Sequence, residues 1–255
     1  MYHMTRSLLL FCLFLLPWGS GWAQGDATEI TILAEEFWPY SFTSASGQAP
    51  QGILVDFAGE LLEAAGMEQD LQLLPWPRVM QQLRQHPNQL ILTLIRTPER
   101  ESLVHWVGPV DEINHALYGN ATMTNPPTNL EQARHLYVST VVDDVASNYL
   151  EQNAFTNLVR TSDHLKGLEM LTRGRVDLYP GNTALIDYQC AQLADGCENI
   201  RLMLTLTELE QDLYFALSAG TEQSVVNAIR EQFNRLIANG RLKAISDAFL
   251  NADQN

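Results

Sequence analysis

The chain has 255 residues, with 15 basic against 30 acidic side chains and a formal net charge of −15. An acidic balance of this size argues against nucleic acid or an anionic bilayer as a partner. The length suits one large domain or two smaller ones, either able to bury a core.

The N-terminus reads as a targeting segment. Arg6 is the one charged residue before Asp26, and Ser7–Leu16 is an apolar run of ten residues. That run falls short of the ~20 residues needed to span a bilayer. Gly21-Trp22-Ala23 then places small residues where a signal peptidase cuts. Residues 1–23 are therefore expected to be a signal peptide, with export to the periplasm and a mature chain starting near Gln24. Cys12 lies inside the apolar run, behind Phe11, which argues against a lipoprotein signal. No later apolar stretch is long enough to span a membrane, so the mature chain is expected not to insert in one.

From Glu29 onward, strands and helices alternate. Ile30–Ala34 reads as a strand, interrupted before Tyr40 by Pro39. Ile53–Ala65 carries apolar residues at helical spacing and stops at Gly66. Leu71–Leu74 reads as a strand, Pro77–Gln85 as a helix, and Leu90–Ile95 as a strand apolar enough to be buried on both faces. Such a βαβαβ order predicts a parallel sheet covered by helices.

A second run repeats the order. Leu136–Val142 is a predicted strand, after which Asp143 or Asp144 caps a helix to Leu150. Leu158–Arg160 is a strand, Ser162 a cap for a helix to Arg173, and Val176–Tyr179 a strand. Pro180-Gly181-Asn182 then reads as a turn into another helix, and Ile200–Leu206 as a returning strand. Helices over 222–238 and 242–250 finish the chain. The fold expected is α/β with two βαβ-type lobes, a ligand cleft between them and a hinge of two crossings. Lobe 1 is assigned residues 24–114 and 212–255, and lobe 2 residues 115–211. In such sheets ligands sit beyond the carboxyl ends of the strands, so both lobes can face one cleft.

Once residues 1–23 are removed, Cys190 and Cys197 are the remaining cysteines. In an oxidising compartment two such residues are expected to pair. Their spacing from any histidine argues against metal, and no cofactor is expected.

Several segments carry a family resemblance: Gly52-Ile-Leu-Val-Asp56, Leu73-Leu-Pro-Trp-Pro77, Thr97-Pro-Glu-Arg100, Val107-Gly-Pro109, Gly174-Arg-Val-Asp177 and the Asn239-Gly240 step. In this order and spacing they resemble the amino-acid-type periplasmic solute-binding proteins, a family with the type 2 periplasmic-binding fold. The resemblance implies a monomeric binding protein that serves an ABC transporter permease or a sensor kinase and catalyses nothing. An enzyme on the same scaffold, dehydratase-like or cell-wall lytic, is the alternative. Glu35, Glu36, Asp144 and His164 are the acid–base candidates for that alternative, with no constellation among them visible in the sequence.

The resemblance assigns Arg100 to the α-carboxylate of an amino acid. A guanidinium offers the two parallel hydrogen bonds that a carboxylate takes. Thr97 is expected to cap a short helix there, with Pro98 in its first position. Phe37, or its neighbours Trp38 and Tyr40, offers a ring to stack on the ligand or a wedge in the core. Arg78 is either a second anion contact or a helix-surface charge. Thr93 and Ile95 fall in a stretch where the family makes hydroxyl and backbone contacts. The chain departs from the family at two places. Asp143-Asp144 stands in place of a Gly-Thr or Gly-Ser step, and Asn182 in place of the aspartate that holds an α-amino group. Asp144 is the candidate to replace that aspartate from across the cleft.

Overall fold

The computed structural model describes residues 28–43, 49–183, 185–194 and 196–252. The expected signal peptide and its cleavage site lie outside them. The architecture is α/β in two lobes joined by a single eight-stranded sheet. In the first lobe β1 (Glu29–Ala34) lies between β2 (Glu68–Leu73) and β3 (Gln89–Ile95), parallel to both. In the second, β5 (Val138–Val141) lies between β6 (Leu158–Thr161) and β7 (Leu178–Asn182), again parallel.

Two long antiparallel strands join these halves: β4 (Val104–Asn120) and β8 (Ile200–Ser218). β8 pairs with β3 at one end, and β4 pairs with β7 at the other. The β4–β8 ladder loses register between Val107 and Asp111 and again between Ile113 and His115. Bulges of this kind bend a ribbon locally, and these fall midway between the lobes.

The sequence shows only the first part of β8, as Ile200–Leu206, and no part of β4. Gly108-Pro109 and the acidic Asp111-Glu112 break any apolar alternation in β4. Pro180-Gly181-Asn182 is not a turn: it is the end of β7, where Pro180 stands opposite Leu117. A proline is tolerated in an antiparallel ladder where its missing N–H is not called upon. Gly181 also leaves room for packing, because a Cβ there would meet the Tyr179 ring at 3.0 Å.

The helices follow the periodicity closely. α1 (Ile53–Ala64) buries Leu54, Phe57, Ala58, Leu61 and Leu62, and Gly66 ends it at φ 69°. α2 is Trp76–Gln85. In the second lobe α3 (Leu130–Ala133), α4 (Val145–Gln152), α5 (His164–Thr172) and α6 (Ile186–Gln192) surround the sheet. Asp163, rather than Ser162, caps α5, accepting from the Lys166 N–H at 2.8 Å. The tail, α7 (Gln223–Ala238) and α8 (Arg241–Ala252), returns to α1 in the first lobe. Phe233 of α7 meets Phe57 and Phe215 in a buried aromatic trio with centroids 5.8–6.2 Å apart. Burial of each such ring contributes about 1.5–3 kcal/mol.

Cys190 and Cys197 are bonded to each other, seven residues apart in sequence. The bridge ties the end of α6 to the segment entering β8. Closing a loop this short removes on the order of 2–3 kcal/mol of unfolded-state freedom. Cys190→Ser/Cys197→Ser should therefore lower the urea midpoint, with an m-value no smaller than wild type because the freed chain is less compact when unfolded. An unchanged midpoint would mean that the bridge adds nothing to lobe stability.

Candidate functional site

The parallel strands of both lobes end at the same gap. β1 runs into Glu35 and Phe37, β3 into Arg100 through a short turn, β5 into Asp144, and β7 ends at Asn182. Together with Thr93, Ile95, Ile113, His115 and His164, these residues line an inner cavity between the lobes. Six of the sequence candidates are thus brought together: Phe37, Thr93, Ile95, Arg100, Asp144 and Asn182. The other three lie elsewhere. The Tyr40 hydroxyl donates to Asp111 on β4 at 2.8 Å and its ring packs edge-on to Phe37, so it supports the ring that faces the cavity. Trp38 stacks on Tyr188 of α6 with centroids 5.9 Å apart, a contact that crosses from one lobe to the other. Arg78 is exposed and donates to Gln81, which is the helix-surface alternative.

Arg100 is 5% exposed and sits at the end of a single 3-10 turn, Pro98–Arg100. The turn is too short to be the α-helix start expected, and the Thr97 side chain makes no capping bond. Its guanidinium donates to the Ile95 carbonyl and, across the cleft, to the Asp143 carbonyl, both at 3.0 Å. It also lies over the Trp76 ring at 5.6 Å. Burial lowers its pKa from the ordinary value, with Asp144 opposing. A guanidinium has five N–H donors, so three remain beyond these two bonds. Thr93 stands nearby on β3, and its buried Oγ1 has no hydrogen-bond partner. An orphaned hydroxyl facing a cavity is a polar group held ready for a ligand.

Asp143 and Asp144 divide their roles. Asp143 takes a left-handed backbone at φ 63°. Its carbonyl accepts from Trp76 Nε1 at 3.1 Å as well as from Arg100, and its carboxylate meets Arg84 at 3.1 Å. All three partners belong to the first lobe, so Asp143 is a latch between lobes and not a helix cap. Asp144 is the cap, accepting from the Ala146 N–H at 2.8 Å through Oδ1. Its Oδ2 faces the cavity, 4.0 Å from His164 Nε2. Asp144 therefore caps α4 through one oxygen and lines the cavity with the other.

The sequence did not show that Glu35 and Asp144 share one histidine. Glu35 Oε2 lies 3.7 Å from His164 Nε2, with the Glu35 side chain 13% exposed. Burial pushes the Glu35 carboxyl up to about 7, against the pull of His164. On its other side His164 Nδ1 is 3.3 Å from the Tyr179 hydroxyl, which donates to Gln189 Oε1 at 3.1 Å. With Nδ1 placed against the Tyr179 hydroxyl, Nε2 points toward the two carboxylates. His115, buried on β4, was missed because β4 itself was missed. Burial lowers its pKa, so it faces the cavity as a neutral imidazole around neutral pH.

The site is therefore positive at one end, acidic at the other, and closed between two lobes by contacts that cross the gap. That arrangement defines a clefted binding protein. The model of the bacterial extracellular solute-binding proteins, family 3, matches residues 30–252, and the chain belongs to that family. The fold matches solved structures of low identity. A histidine kinase sensor domain similar to periplasmic binding proteins superposes with a TM-score of 0.78 at 19% identity, covering 88% of this chain and 96% of that one. ArgBP from T. maritima gives 0.75 at 15%, covering 88% and 95%. The substrate-binding protein of an amino acid ABC transporter gives 0.75 at 12%, covering 88% and 99%. No curated protein sequence matches the chain. Among the described residues no helix is long and apolar enough to cross a membrane, and no group of three metal-ligating side chains forms.

Proposed function

We propose that the chain is a periplasmic, non-enzymatic receptor that closes on a small zwitterion of the amino-acid type and presents it to an importer permease or a sensor kinase. The observation that carries this reading is charge separation across the cleft. Arg100 and the unpartnered Thr93 hydroxyl suit a carboxylate, while Asp144 Oδ2 on the opposite lobe suits an ammonium group, with Glu35 close by. The neutral Asn182 can accept from that ammonium through its carbonyl but adds no charge. The two lobes of the proposal, 24–114 with 212–255 and 115–211, would swing about the register shifts in β4 and β8. Sensor-domain and transporter-protein neighbours share the fold equally well, which leaves both partners within the proposal.

The test is a calorimetric titration of amino acids, amines and dicarboxylates against wild type and Asp144→Asn. Asparagine is as good an N-cap as aspartate, so α4 should survive while the charge is lost. Wild type should prefer zwitterions, since a second carboxylate would meet Asp144 as an unpaired like charge. The substitution should weaken zwitterions about tenfold, roughly the 1.4 kcal/mol of one charge-assisted bond. Preference for dicarboxylates in wild type, unchanged in the variant, would refute the reading.

A further inference from the structure

The inner cavity is small, with a volume of about 40 Å3. One water needs ~10–15 Å3 of such space, and ligand pockets run to roughly 300–1,000 Å3. Beside it, between the same two lobes, lies an outer chamber of about 510 Å3. Glu35, Trp76 and His164 line both spaces, so these three side chains form the throat between them. The outer chamber is built differently from the inner cavity. Leu73, Leu74, Leu165 and Tyr188 make its walls largely apolar, and its charged lining beyond the throat is acidic, from Glu36 and Asp163. Asp163 is paired with Lys166 at 2.8 Å, whereas Glu36 accepts from the N–H and hydroxyl of neighbouring Thr43, leaving its charge uncompensated by that partner.

We propose, keeping only the Arg100–carboxylate contact of the reading above, that the ligand is longer than a free amino acid: a peptide-sized carboxylate whose acid end sits at Arg100, whose chain passes the throat, and whose terminal ammonium lies in the outer chamber facing Glu36, in place of the Asp144 and Glu35 contact of a free amino acid. The inner cavity accommodates little beyond the acid end in this closed arrangement. The outer chamber has the volume for the rest, apolar walls for a hydrocarbon stem and a carboxylate for a terminal cation. The throat supports the same assignment. Trp76 presents its ring at the passage, and the Asp143 carbonyl holds its indole N–H. The neutral Asn182 suits an amide N–H in the middle of a chain better than it suits an ammonium group.

The experiment compares alanine, alanyl-alanine and lysyl-alanine by calorimetry, on wild type, Arg100→Lys and Leu165→Lys. Leu165 is 38% exposed on the first turn of α5, so lysine there leaves the core untouched and puts a cation into the outer chamber. Wild type should bind lysyl-alanine at least tenfold more tightly than alanine, with alanyl-alanine between. Leu165→Lys should bring that ratio down toward one, and Arg100→Lys should weaken all three. If alanine binds as tightly as either dipeptide and still depends on Arg100, the longer ligand is ruled out and the amino-acid-type reading stands. If none of the three binds, both fall together.

Discussion

Arg100→Ala should weaken ligand binding at least ~30-fold. Removing a charged donor from a closed site costs on the order of 2–5 kcal/mol, and each tenfold in affinity is about 1.4 kcal/mol. Part of that loss comes from contacts the ligand does not make. The guanidinium ties Ile95 in the first lobe to the Asp143 carbonyl in the second, so its loss also loosens closure. Arg100→Lys separates the two contributions. Lysine keeps the charge but cannot form two parallel bonds to a carboxylate, so it should give an intermediate affinity. Calorimetry on both variants, with circular dichroism to confirm the fold, makes the measurement. Wild-type affinity in both would leave Arg100 as a strut between lobes and take it out of the ligand site.

The latch around Asp143 bears on the same question. Its pairing with Arg84 is about 40% exposed on both sides, so it is worth at most ~1 kcal/mol. The bonds from Trp76 and Arg100 to its carbonyl are better sheltered. Closure without ligand is therefore held by a few hydrogen bonds. A ligand that adds contacts on both sides of the cleft then shifts the population toward the closed form, by as much as its affinities for the open and closed forms differ.

Much of this was legible in the sequence because helices and buried strands write themselves in local periodicity. α1, α2, β3 and α7 appear with nearly their observed bounds, and Arg100 stands out once Thr97-Pro-Glu-Arg100 is placed after a buried strand. β4 was illegible for a physical reason. Its stability comes from pairing with β7 and β8, residues roughly sixty to over a hundred positions away in sequence, and not from its own pattern. Pro180 was misread as a turn for the same reason. With β4 missing, His115 had no place in the cleft. Glu35, Asp144 and His164 were each visible as ionisable residues, but their meeting depends on the distance between lobes. No constellation among them is visible in the sequence, because the one that forms is tertiary.

That constellation has a consequence for stability. Glu35 has a folded-state pKa of about 7 against an ordinary value of 4.5, raised by burial. The folded protein therefore holds this proton over a range where the unfolded chain has released it. Stability from this group is fully present below about pH 4.5 and is lost as pH rises through 7. Between pH 5 and 8 the loss is on the order of 2–3 kcal/mol, at about 1.4 kcal/mol per pKa unit. His115 works in the opposite direction, because burial lowers its pKa and acid must charge it. The raw slope of stability with pH therefore mixes the two, and the comparison must be between wild type and Glu35→Gln. Glutamine keeps the shape and stays neutral, so the variant should match wild type at pH 5 and exceed it at pH 8 by that amount. His164, Asp144, Arg100 and Asp163 all face Glu35 and remain in both proteins, which cancels their own contributions to first order. Urea denaturation of both proteins at the two pH values makes the test. Parallel pH dependences would show that Glu35 ionises as freely in the folded cleft as in the unfolded chain, and that water reaches it.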